Sequence, residues 1–176
     1  MSSELAILTP RSIDRAAQSR ALEEVGGLTI TGVDGANVSA GLPGGTEVID
    51  APSRRAVPHC VTLFSDPSPA APSPWDLSTH GIATDASLVE TTVQIETGTD
   101  DEFDRIIRAT AHLAREHNGV LIDPEDGLLI HADGTEHVLT ELGEEHSASD
   151  IADDVCSAPS PTPYASSPRM RSSSPG

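Results

Sequence analysis

His131, Asp133, Glu136 and His137 fall within seven consecutive residues, a gathering of potential metal ligands that combines two imidazoles with two carboxylates. A strand through them would turn His131 and Asp133 to the same side. Two imidazoles converging with a carboxylate suit zinc or non-haem iron. Against this, Asp133-Gly134 reads as a turn, and the spacing matches no established metal motif. His131, Asp133 and His137 are therefore the metal-site alternative, behind a reading with no cofactor.

Other candidate chemistry is weaker. His112 and Glu116 stand one helical turn apart and can touch, as ordinary helix-surface residues do. Asp100, Asp101, Glu102 and Asp104 offer paired carboxylates, but they open a helix. There the macrodipole favours the charged form, which works against a raised-pKa general acid. Asp123-Pro124-Glu125-Asp126-Gly127 lacks the alternating acids and distal Glu of a calcium loop. The glycine-rich run 41–46 carries no Lys and cannot be a P-loop. No GxSxG, HExxH or CxxC occurs, so hydrolytic catalysis has no local signature.

Charge narrows the partners. The chain has 176 residues, 28 Asp and Glu against 10 basic residues (all of them Arg), and a net charge of −18. Most of the imbalance lies in residues 85–145, with sixteen acids and three arginines. Nucleic acid and anionic membrane are excluded as partners on electrostatic grounds, because phosphate binding needs cations to displace counterions. A basic protein partner would be drawn in. Two cysteines, Cys60 and Cys156, make no disulfide framework and fit a reducing cytoplasm. The N-terminus lacks a basic region before its short apolar run, and no run reaches the length of a membrane span.

The elements that must position these residues follow from pattern. Residues 4–8 read as a strand, and Thr9-Pro10 as the start of a helix carrying Ile13, Ala16, Ala17, Ala21 and Val25 to Gly26-Gly27. Residues 28–33 read as a strand and Asp34-Gly35 as a turn. The span 36–58 is ambiguous, with a possible strand at 46–50. Residues 60–65 form a better strand. A Pro-rich loop over 66–87 holds the only tryptophan, Trp75. Val89, Thr91, Val93 and Ile95 alternate with Glu90, Thr92, Gln94 and Glu96, the pattern of a half-buried strand. Thr99 and Glu102 form a capping box for a helix whose apolar face carries Phe103, Ile106, Ile107, Thr110, Ala111 and Ala114. Asn118-Gly119 ends it. Residues 120–123 and 128–131 then form a hairpin around a four-residue loop, with a last short element over 137–142.

Two units of strand, helix and strand thus recur at an offset of about 90 residues. They predict an α/β fold of the α+β kind, an antiparallel sheet with two helices on one face. Such pseudo-duplicated β-α-β units with extra strands resemble the ferredoxin-like plait. The single domain spans 1–142, and 143–176 is an acidic, then Ser/Pro-rich tail expected to be disordered. The favoured function is a non-enzymatic, acidic protein-interaction module, monomer or homodimer, of the kind an immunity-type inhibitor represents. Its expected contact residues are Trp75, Glu90, Glu96, Asp101 and Asp104. The alternative is a small-molecule or metal-dependent enzyme using the 131–137 region.

Overall fold

A computed structural model describes residues 3–44, 59–83, 85–96 and 99–143, and the backbone of 48–50 and 54–56. Cys156 and the whole expected tail beyond residue 143 lie outside the described residues.

The architecture is α+β. Strand β1 (Ser3–Thr9) leads to helix α1 (Arg15–Arg20), which widens into a π-turn over Ala21–Val25. Strands β2 (Thr29–Asp34) and β3 (Asn37–Gly41) form a hairpin, as do β4 (Val48–Asp50) and β5 (Arg54–Ala56). Then follow β6 (Val61–Pro69), β7 (Val89–Ile95), helix α2 (Asp100–Glu116), β8 (Val120–Asp123), β9 (Leu128–Ile130) and β10 (Glu136–Val138). Eight strands make one antiparallel sheet in the order β10-β9-β8-β1-β7-β6-β3-β2. Among the described residues, no helix is long and apolar enough to cross a membrane.

Side-chain alternation explains the layering. Leu5 and Ile7 of β1, with Val93 and Ile95 of β7 and Val61 and Leu63 of β6, form one core with Leu22 of the π-turn and Ile106 and Leu113 of α2. Ala6 and Leu8 point the other way, into a second core with Val120 and Ile122 of β8 and with Leu77, Ile82 and Leu88. The continuous run LAIL is therefore apolar because β1 is covered on both faces, whereas β7 alternates because one of its faces is not. The cover over the second face is the Pro-rich loop itself. It is fastened along 140–142 by Asp76 N–H to Thr140 O and Leu142 N–H to Pro74 O, both 2.7 Å.

Helix α2 matches its sequence signals. Thr99 Oγ1 accepts from Glu102 N–H at 3.3 Å and donates to the Glu102 carboxylate at 2.9 Å. Asn118 takes the left-handed conformation, φ 56°. Gly119 must be glycine because a Cβ there would lie 2.1 Å from Leu8 O. Phe103, however, is 38% exposed and not under the sheet, while Ala109 and Leu113 are fully buried. Helix α1 starts later than Thr9-Pro10 implies. Asp14 is the cap, accepting from Ala17 N–H at 2.7 Å, and Thr9 instead donates to Arg11 O at 2.8 Å. Strand β6 continues into the expected loop: after a bulge, Pro69 stands opposite Val89, consistent with proline's confinement to irregular strand positions.

Candidate functional site

Two surfaces carry chemistry, and they lie on different parts of the sheet. The first is the helix-free face of β6 and β7. Along β7, Glu90, Thr92 and Gln94 alternate away from the buried Thr91, Val93 and Ile95. Thr92 stands opposite Phe64 of β6, whose ring is 37% exposed. A shallow hollow of about 340 Å³ is lined by Phe64, Asp66, Glu90 and Thr92. Two carboxylates beside an exposed aromatic ring suit a cationic side chain with an apolar stem. Asp66 is held below the ordinary carboxylate range by the backbone N–H of Ser68, at 2.9 Å, and then by the Ser68 side chain. At the end of the same row, Gln94 donates to Glu96 at 3.2 Å, and Glu96 meets His59 at 3.2 Å.

The expected contact residues do not form one patch. Glu90 and Glu96 lie on this open sheet face. Asp101 lies on α2, in the helix layer, where it pairs with Arg105 Nε at 2.8 Å. Asp104, also on α2, is exposed beside the turn at Ala132–Gly134. Trp75 packs against the second core and over Gly127, where a Cβ would come within 2.6 Å of the indole ring. Its ring is thus partly buried between the Pro-rich loop and the sheet. Phe64 is the aromatic residue that sequence reasoning missed. The alternation of Thr62 and Phe64 against Val61 and Leu63 was its only signal.

The second surface is a cleft of about 550 Å³ bounded by α2, β8, β9 and the β9–β10 turn. The hairpin brings His131 and His137 together, with ring centroids 4.9 Å apart and planes at 83°. His80 joins them from the Pro-rich loop, 6.3 Å from the ring of His137. No spacing in the sequence pointed to His80. Asp133 does not complete a ligand set. Its Oδ1 accepts from the Thr135 hydroxyl at 2.6 Å and backbone N–H at 3.0 Å, and these bonds lower its pKa, the hydroxyl contributing most. Among the described residues, no three His, Cys, Asp or Glu side chains are arranged to hold a metal ion.

Cys60 is buried, and desolvation pushes its thiol up to about 11, with the negative charge of Glu102 adding to the shift. It is a packing residue, not a nucleophile. No protein-family model matches the chain, and neither the curated proteins nor the solved structures contain a significant match to it.

Proposed function

We propose that the protein is a non-enzymatic interaction module that binds a basic protein partner through the open face of β6 and β7. The observation that carries this reading is the hollow that exposed Phe64 lines together with Asp66 and Glu90. An arginine or lysine of the partner entering it gains ring contact, two carboxylates and burial of its methylene stem. The net charge of −18 adds long-range attraction, which raises the encounter rate more than the affinity. An immunity-type inhibitor of a basic protein is one form such a module takes. The cytoplasm is the proposed location, on the strength of the cysteine usage.

For the frame itself we infer a ferredoxin-like plait. What supports it is the inner strand order β8-β1-β7-β6, with α2 linking β7 to β8 across β1. The duplication is uneven: β2, the strand after α1, sits at the far edge of the sheet, beyond β6 and β3.

The test is affinity capture on the full chain, wild type against Glu90→Lys and Phe64→Ala, at low and moderate salt. A partner retained by the wild type, weakened by salt and lost with both variants supports the reading. Recovery of no basic protein at either salt concentration counts against it, as does retention indifferent to both substitutions.

A further inference from the structure

Basic side chains are scarce in this protein, yet several of them line one concavity. His80, His131 and His137, three of the seven histidines, line the cleft beside α2 together with Arg115. Asp133 is the one carboxylate among its lining residues, and one oxygen of that group is already taken by Thr135. The floor is apolar, built from residues such as Ala111, Ala114 and Leu129. At about 550 Å³ the cleft falls within the range of small-molecule sites, which are concave, apolar and fitted with a few convergent polar groups.

A second observation concerns His131. Its Nε2 is buried with no hydrogen-bond partner. Buried polar atoms are normally satisfied, and leaving one unpaired carries a desolvation cost, so an orphan of this kind calls for a partner from outside the chain. The ring of His137 leans against His131 and belongs to an exposed residue.

We propose that this cleft binds a small oxyanion, the carboxylate or phosphate group of a soluble metabolite, with His131, His137 and His80 as hydrogen-bond donors and Arg115 as the fixed charge. An imidazole donates from either nitrogen and gains a charge near neutral pH, so a group of three adapts to an anion. Guanidinium supplies a planar donor fork suited to both carboxylate and phosphate. The ligand chemistry follows from the donors: they offer N–H groups and the charge of Arg115, and among the described residues no three His, Cys, Asp or Glu side chains are arranged to coordinate a metal.

The test is a titration of the full chain, labelled in its histidine rings, with inorganic phosphate and separately with acetate, followed by NMR at about pH 6, where imidazoles are partly charged. The ring signals of His80, His131 and His137 should move together and saturate, while those of His59, His117 and His146 stay still; His112, in contact with Arg115 at 3.4 Å, is not used as a control. Saturation with phosphate alone identifies a phosphoryl ligand; saturation with both identifies a general oxyanion site. His137→Ala and Arg115→Ala should each weaken binding about tenfold with an unchanged melting temperature. Equal drift of all seven rings would overturn the proposal, as would no saturation with either anion. A response of the three rings to zinc but to neither anion would also overturn it, in favour of a metal site.

Discussion

Replacing Gly127 by alanine tests how the Pro-rich loop is held. Gly127 ends the β8–β9 turn with φ 63°, and a Cβ there would come within 2.6–3.0 Å of three indole carbons of Trp75. Two costs combine. A left-handed non-glycine residue costs about 1–2 kcal/mol. Overpacking against a ring already seated on the second core adds about 1–3 kcal/mol. Gly134, in the β9–β10 turn, is the control. It has φ 81° but open space around the missing Cβ, so Gly134→Ala should show only the first cost, about 1–2 kcal/mol. Gly127→Ala should then destabilise by about 2–5 kcal/mol, read from urea denaturation midpoints. Trp75 is the only tryptophan, so its fluorescence reports the displacement directly and should shift to the red in Gly127→Ala alone. In a Trp75→Ala background the extra cost should vanish, leaving the two glycine substitutions equivalent. Equal destabilisation in the wild-type background, or an undiminished Gly127 cost without the indole, would refute the reasoning.

Other perturbations separate the remaining parts of the structure. Leu113→Ala empties a fully buried site between α2 and the sheet and should cost about 2–5 kcal/mol; Phe103→Ala, at a side chain 38% exposed, should cost only about 1 kcal/mol. Thermal denaturation of the two would show the larger loss at Leu113, and the reverse order would contradict the assigned helix face. Cys60, with its thiol raised to about 11, should resist alkylation at neutral pH in a Cys156→Ser chain until the protein unfolds; rapid modification of the folded protein would show the site to be accessible. Asp76 is held below its ordinary 3.8 by the Ser78 hydroxyl first and the Ser78 N–H second. Its lowered folded-state pKa means that the contribution to stability is in place above 3.8 and is lost as the pH falls through the folded value. Ser78→Ala should return the Asp76 titration toward 3.8 by NMR, and an unmoved titration would exclude the hydroxyl as the cause.

The parts of the fold legible in the sequence are those where one local rule acts alone. The capping box at Thr99, the left-handed Asn118, the four-residue turn before β9 and the alternation along β7 each depend on residues a few positions apart. What stayed hidden depends on partners distant in sequence. One exception is local: α1 is capped at Asp14, whose carboxylate accepts from Ala17 N–H, and not at Thr9-Pro10. Strand β3, Asn-Val-Ser-Ala-Gly, carries little β-propensity and owes its conformation to β2 on one side and β6 on the other. Phe103 fits the helical period but stands near the N-terminal end of α2, where it keeps substantial exposure. His131 and His137 were legible only as near in sequence, around the turn at Asp133-Gly134, whereas His80 reaches them because the Pro-rich loop folds back over the sheet. Trp75 drew notice as an aromatic in a loop, yet only the turn at Gly127 reveals what it rests on.

The position of β1 sets an order on biosynthesis. Its seven residues leave the ribosome well before their partners, Val89–Ile95 on one side and Val120–Ile122 on the other. Contacts this distant in sequence slow folding, because the intervening chain must be ordered before they form. At about 5–20 residues per second, several seconds of translation separate the emergence of Leu5 and Ile7 from that of the strands that cover them. Until residue 122 has cleared the exit tunnel, the segment LAIL remains an uncovered apolar strand, and the nascent chain is a natural client for any factor that shields such segments.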